Sequence, residues 1–207
     1  RSESLSPAKN FADSPIEKVL LGVGGARSTE IENALIHLNK KKVVLILGFQ
    51  GYPTETQANQ IARIPLFSKK FCGSPSVSIG FADHAEPDSG LAPLIGAMSI
   101  GAGATLLEKH LTLNRVLQME DHESALNPDE FASYTEQMRR VHQALGTTED
   151  SEDFAMSSDE VKYRIAIRRH VVAAVGISEG QEITPADINL KRSSEINPIT
   201  DISSVYG

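Results

Sequence analysis

The chain has 207 residues, of which 40% are hydrophobic and 23% charged, a composition typical of a globular protein with one larger and one smaller domain. The formal net charge of −7 disfavours nucleic acid and anionic membranes as partners, and no apolar run approaches the ~20 residues of a membrane helix. Its single cysteine, Cys72, excludes an intrachain disulfide framework and indicates a reducing, cytoplasmic location.

Apolar runs alternate with helical patterns through residues 1–145. Four βα units in succession predict an α/β fold, namely half of a (β/α)8 TIM-type barrel. A half barrel leaves two open sheet edges, so we expect the chain to be a fragment of a larger barrel. Ser28 is predicted to cap the first helix, and Pro65 to break or kink the second. The predicted strands are Val19–Val23, Val43–Phe49, Val77–Phe81 and Ala104–Leu107.

The pattern changes after residue 145. Residues 146–166 begin with a stretch rich in Thr, Ser, Glu and Asp, and are predicted to be a linker. Residues 167–207 predict a small, mostly-β module with strands at Val171–Val175 and Ile188–Lys191. Thr184 and Asp187 form a capping signature between these strands. No closing element precedes Gly207, so we expect this module to be truncated.

Polar side chains follow the predicted barrel strands, at the end where such folds bind ligands. His84 and His110 are one βα unit apart, and adjacent strands lie ~4.8 Å apart, so both imidazoles can converge on one ion. Two histidines leave room for water and substrate oxygens, which favours a catalytic Mn²⁺ or similar ion over a closed Zn²⁺ site. Asp83 and Glu108 could orient the ligands. The alternative is that these residues are ordinary exposed strand ends with salt bridges at the rim.

Other polar segments carry weaker signals. The Met119–Ser124 loop holds three acids and a histidine, and a solvated loop explains that composition equally well. Cys72 follows Phe71 and is interpreted as a small packed residue rather than a nucleophile. The sequence has no Ser-His-Asp order, P-loop or Cys-x-x-Cys pair.

Several stretches resemble the sialic acid synthase family, in the same order from Val19 to Arg192. The second module resembles that family's antifreeze-like (SAF) domain. The barrel stretches are Gln50–Thr54, Gly80–His84, Gly103–Thr112 and Asp121–Glu130, and those of the module are Arg168–Ala174, Gly180, Ile183, Thr184, Asp187, Lys191 and Arg192.

The resemblance implies an enzyme that condenses phosphoenolpyruvate with an N-acylmannosamine-type sugar or its 6-phosphate. The product is a sialic-acid-like nonulosonate, and phosphate is released. The family uses Mn²⁺ or Mg²⁺ on two histidines, which correspond to His84 and His110. The candidate catalytic residues are His84, His110, Asp83 and Lys109.

The resemblance also implies the substrate contacts and the assembly. Tyr52 and Asp121 would contact the sugar, and Gln50 would lie near phosphoenolpyruvate. Arg192 would reach the active site of the partner subunit, since the family forms a domain-swapped homodimer.

Departures from the family pattern affect phosphate contacts. The chain has Gly22 and Val23 where many relatives have Ser or Thr, Gln50 where they have Asn, and Ala82 where they often have Ser. The usual Pro-Gly after Arg192 is Ser193-Ser194. The family's amino-terminal half-barrel supplies a glutamate and lysines that are not found here, so we expect the chain alone to be inactive.

Two other functions remain open from the residues alone. One is a different metal-dependent aldolase or lyase on the same barrel, with another acceptor. The other is a non-catalytic fragment that binds carbohydrate or serves assembly.

Overall fold

The computed structural model describes residues 11, 14–146, 156–193 and 198–205. The chain divides into two compact units, Arg1–Gly146 and Thr147–Gly207. None of the helices among the described residues is long and apolar enough to cross a membrane.

The first unit is built on a four-stranded parallel sheet with the strands in chain order. The strands pair consecutively, each with the next. This arrangement confirms the predicted α/β class and the half-barrel sheet. The strands are β1 (Lys18–Gly22), β2 (Lys42–Leu47), β3 (Val77–Asp83) and β4 (Leu106–Lys109).

Helices connect these strands and follow the last one. They are α1 (Ser28–His37), α2 (Arg63–Phe71), α3 (Ala92–Gly101) and α4 (Pro128–Ala144). The predicted cap at Ser28 is wrong by one position: Arg27 is the cap residue, and its backbone N–H donates to Glu30 over 2.7 Å. The helical pattern that Pro65 is predicted to break or kink is interrupted, but ahead of the proline, since a 3-10 turn at Thr56–Asn59 precedes α2. Pro65 lies in the first turn of α2, where backbone N–H groups have no intrahelical acceptor to lose.

The two faces of the sheet differ because side chains alternate along each strand. One face, here called the helix side, packs against the helices through Leu45, Ile79, Phe81 and Leu107. The opposite face, here called the inner face, carries a smaller apolar cluster of Val44, Ile46, Ala82 and Leu106. Each strand therefore sends alternate residues into a thick core and onto a thinner apolar surface.

Both outer edges of this sheet are unpaired among the described strands, since β1 pairs only with β2 and β4 only with β3. A groove of 590 Å³ lies beside β4 and beneath α4, lined by Leu106, Leu107, Phe131 and Met138 among others. Unpaired strand edges are sites where a further strand can add.

The second unit contains helix α5 (Ser158–Ile167) and an antiparallel pair, β5 (His170–Ala173) and β6 (Ile188–Lys191). Helix α5 occupies residues 158–166 of the segment predicted to be a linker and extends one residue beyond it. Ser157 caps this helix by accepting from the Glu160 N–H over 3.2 Å. The predicted cap between the strands is present, since the Thr184 N–H donates to Asp187 over 2.9 Å. Residues 147–155 of the predicted linker lie outside the described residues.

Candidate metal centre

The carboxyl ends of β3 and β4 bring His84 and His110 together. Asp83 and Lys109, the last residues of the two strands, are register partners, and each histidine comes directly after one of them. The two imidazole ring centroids are 5.2 Å apart, with their planes at 62°. The parallel register therefore places both rings at one end of the sheet, as expected from their spacing.

Glu108 joins the two histidines. Strand β4 runs from Leu106 to Lys109, two residues later than predicted, so Glu108 lies inside the strand rather than after it. Residues two apart on a strand share a face, which puts Glu108 on the side of His110. One ligand atom each from His84, Glu108 and His110 lies within 4.8 Å of the others. Sequence reasoning treated Glu108 only as an orienting acid, although the Glu-x-His spacing on a strand indicates a shared face.

The tautomer of His84 is set by a backbone carbonyl. Its Nδ1 lies 2.8 Å from the Phe49 oxygen, which can only accept, so Nδ1 is the donor in this contact and Nε2 is the nitrogen left to ligate a metal. His84 is 2% exposed. Its own carbonyl accepts from the Thr54 N–H over 2.9 Å and from Ser124 Oγ over 2.8 Å. Loops after β2 and β4 therefore hold this histidine from both sides.

His110 is held more loosely. Its Nδ1 lies 3.6 Å from Asp121 Oδ2, and its carbonyl accepts from the Leu126 N–H over 2.9 Å. Burial and the neighbouring His84 lower the pKa of His110, and Asp121 opposes that shift. A lowered pKa favours the neutral imidazole, which is the form that binds metal.

Tyr52 covers the two histidines. Its ring centroid is 4.7 Å from that of His84 and 5.3 Å from that of His110. Burial, followed by the charges of Asp121 and Glu108, raises the pKa of Tyr52, so its phenol keeps its proton as a hydrogen-bond donor. The structure thus brings Tyr52 and Asp121 to the histidines. Gln50 is exposed in the loop that carries Tyr52.

Asp83 and Lys109 lie on the helix side instead. Lys109 Nζ is 3.3 Å from Asp83 Oδ2, and the two side chains are 1% and 0% exposed. Burial raises the pKa of Asp83 and lowers that of Lys109, while the attraction between them opposes both shifts. The two charged groups face each other rather than the histidines. Their catalytic role therefore stays a prediction.

Arg192 lies in the second unit, directly after β6, and is exposed. Its predicted reach into the active site of a partner subunit stays a prediction.

The donor set fits a divalent metal. Two imidazoles and one carboxylate converge, and three protein ligands leave positions for water or substrate oxygens. The fixed tautomer of His84 is the outer-sphere arrangement usual for ligating histidines.

Several known proteins are similar to this chain in sequence and in fold. The NeuB family model matches residues 10–150. The chain is 24% identical over 165 residues to the N,N'-diacetyllegionaminic acid synthase of Legionella pneumophila, across 80% of this chain and 43% of the relative. It is 30% identical over 142 residues to the N-acetylneuraminate-9-phosphate synthase of Homo sapiens, across 68% of this chain and 36% of the relative.

A solved structure supports the same relationship. The N-acetylneuraminic acid synthetase of Leptospira borgpetersenii matches with a TM-score of 0.63 and 26% identity, across 81% of this chain and 55% of that one. The chain thus spans less than half the length of the two curated relatives and about half of the solved one. Since the family model covers more than half of the sequence, the chain belongs to the NeuB family.

Proposed function

We propose that the barrel to which this chain contributes condenses phosphoenolpyruvate with an N-acylmannosamine-type sugar or its 6-phosphate. The products are a nonulosonate and inorganic phosphate. The observation that supports this most is the convergence of His84, Glu108 and His110 at the carboxyl end of a parallel sheet in a NeuB-family chain.

His84, Glu108 and His110 are the residues that would hold a divalent ion, Mn²⁺ or Mg²⁺. Such an ion would supply Lewis-acid polarisation of the aldehyde of the open-chain sugar. The chain's own contribution is to hold the two imidazoles in place. The Phe49 carbonyl accepts from Nδ1 of His84, which leaves Nε2 as the nitrogen available to a metal, and partial burial favours the neutral form of His110.

The condensation balances with one water molecule. The C3 carbon of phosphoenolpyruvate bonds to the aldehyde carbon of the sugar, whose oxygen becomes a hydroxyl by taking one proton of the water. The water oxygen adds at C2, and the C2–O bond to phosphate then breaks as C2 becomes a ketone and the second proton leaves with phosphate. Tyr52 and Asp121 are proposed to hold the sugar, because both lie against the histidines. The Tyr52 phenol would donate to a sugar oxygen, and the Asp121 carboxylate would accept from a hydroxyl. Gln50, in the same loop as Tyr52, is proposed to lie near phosphoenolpyruvate.

The second unit is proposed to be the antifreeze-like domain. Its Arg192 would bind a carboxylate or sugar hydroxyls, since a guanidinium offers a planar fork of donors. In a domain-swapped homodimer that group would come from the partner subunit. We further propose a cytoplasmic enzyme, in keeping with the single cysteine.

The number of strands in the sheet limits the activity expected of this chain. A four-stranded parallel half-barrel supplies only half of the loops that surround a barrel site. We therefore expect the chain alone to bind metal but not to turn over substrate.

The test measures phosphate release by a version of the chain extended with the barrel half that its relatives carry. Release should require the divalent ion, phosphoenolpyruvate and an N-acylmannosamine together. A double His84→Ala, His110→Ala variant should abolish release.

Other outcomes have defined meanings. Release of phosphate without sugar, or only with a different aldehyde, would contradict the proposed acceptor and favour another barrel aldolase. Absence of both metal binding and turnover would leave a binding or assembly role.

A further inference from the structure

The helix side of the sheet holds a buried ion pair directly beneath the metal ligands. Lys109 Nζ lies 3.3 Å from Asp83 Oδ2, and neither side chain is exposed by more than 1%. The same ammonium donates to the Ala85 carbonyl over 2.9 Å, and Asp83 Oδ1 accepts from the Ala85 N–H over 2.8 Å. One residue past His84, the backbone is therefore tied to both members of the pair.

The pair and the histidines are linked by strand geometry. Asp83 and Lys109 are register partners on neighbouring strands, and His84 and His110 are the next residue along each strand. Because side chains alternate, fixing the first two on one face aims the next two at the other. A twist or slip of either strand end would move one imidazole relative to the other.

Stability is a poor explanation for such a pair. Two charges removed from water repay their desolvation only with good geometry and further hydrogen bonds, and apolar replacements of similar volume are often neutral or stabilising. Ile79 and Phe81 precede Asp83 on this face and are apolar. Along β3 and β4, charged residues replace apolar ones on this face only at Asp83 and Lys109, which directly precede His84 and His110.

We propose that Asp83 and Lys109 are a positioning pair that sets the spacing and orientation of His84 and His110, rather than groups that touch substrate. The inference rests on the metal site of the proposed function but not on the condensation reaction. Ala85 is the means of coupling, because its backbone N–H and C=O are both held by the pair.

The experiment separates positioning from stability with a neutral replacement of both charges. Asp83→Asn, Lys109→Met and the double variant are made in the full chain, with Ile79→Val as a matched control on the same strand and face. Each variant is unfolded in urea, and its Mn²⁺ affinity is measured by titration calorimetry.

We expect each single variant to unfold at lower urea, since one charge is left alone. The double variant should regain most of the wild-type midpoint and still bind Mn²⁺ about 10- to 100-fold more weakly, the range seen when outer-sphere partners of metal ligands are lost. Ile79→Val should lower the midpoint with unchanged Mn²⁺ affinity. A stable double variant with wild-type affinity would overturn the proposal.

A second measurement needs no metal. The Thr54 and Leu126 N–H groups donate to the carbonyls of His84 and His110, so their hydrogen exchange reports on the two strand ends. In both Asp83→Asn and the double variant, these two amides should speed up at least about 10-fold more than the Leu45 amide in strand β2, whose exchange follows global stability. Unchanged exchange at Thr54 and Leu126 would count against positioning. If the wild-type chain bound no Mn²⁺, the proposed metal site would fail and this exchange result would still decide the positioning role.

Discussion

At the carboxyl ends of β3 and β4, the two faces of the sheet carry different kinds of polar site. On the helix side, Asp83 and Lys109 neutralise each other out of contact with water. On the inner face, His84, Glu108 and His110 converge with ligand atoms within 4.8 Å of one another. The buried charges face each other and offer nothing to a ligand, whereas the side chains on the inner face are grouped so that they can bind one.

The largest expected effect concerns stability on the helix side. Asp83→Ala leaves the Lys109 ammonium buried without a counter-ion, and should lower the free energy of unfolding by about 3–5 kcal/mol. His110→Ala, on the partly exposed face, should lower it by less than about 1 kcal/mol. Urea unfolding followed by circular dichroism measures both. Equal losses for the two variants would contradict the division between the faces.

Metal affinity should show the reverse pattern. His84→Ala or His110→Ala removes an imidazole ligand and should weaken Mn²⁺ binding by roughly 100-fold or more, beyond the usual effect of outer-sphere partners. Glu108→Gln keeps an oxygen donor and should cost about 10-fold. His37→Ala on the exposed surface of α1 is the matched control and should bind normally. Wild-type affinity in the Glu108 variant would exclude that carboxylate from the site.

A smaller effect is expected where a loop supports His84. Ser124→Ala removes the 2.8 Å hydrogen bond to the His84 carbonyl. That carbonyl still accepts from the Thr54 N–H in the variant. The free energy of unfolding should fall by about 1 kcal/mol, the usual net value of one hydrogen bond. Ser133→Ala on the exposed surface of α4 serves as the comparison and should be nearly neutral. No difference between the two serines would show that this contact does not support His84.

The smallest effect concerns a partly exposed ion pair between Arg115 and Glu130, the counterpart of the buried one. Glu130 accepts from Arg115 Nη2 over 2.9 Å and from the Asn127 N–H over 2.7 Å, and the first of these contacts lowers its pKa most. A lowered carboxyl pKa stabilises the fold fully above the ordinary value of 4.5, and this contribution is lost as the pH falls through the folded-state pKa. Solvent screens the pair, so Glu130→Gln should cost only about 0.5–1 kcal/mol at pH 7.

Urea unfolding at pH 7 and at pH 3 checks this prediction. The difference between wild type and Glu130→Gln should shrink at the lower pH. A difference that stays constant would mean that the glutamine has lost packing or capping geometry rather than charge.

Hydrophobic patterning predicted most of the barrel unit. Apolar runs bounded by glycine and polar residues located four strands, and their alternation with helices predicted parallel pairing in chain order. Parallel pairing alone was enough to bring His84 and His110 to one end of the sheet. Propensity placed the boundaries less well, since β4 begins at Leu106 rather than Ala104. This shift of two residues does not change which side chains point to which face. It does place Glu108 inside the strand, beside the histidines, rather than in the loop.

The sequence by itself therefore determined the four βα units and the meeting of two histidines, because both follow from local periodicity and parallel pairing. Tertiary structure alone decided how the histidines are held. The contacts to His84 come from Phe49, 35 residues before it, and from Ser124, 40 residues after it. It also decided that Asp83 and Lys109 neutralise each other. Such contacts depend on how loops and strand ends fold over one another, and hydrophobic periodicity carries no information about that.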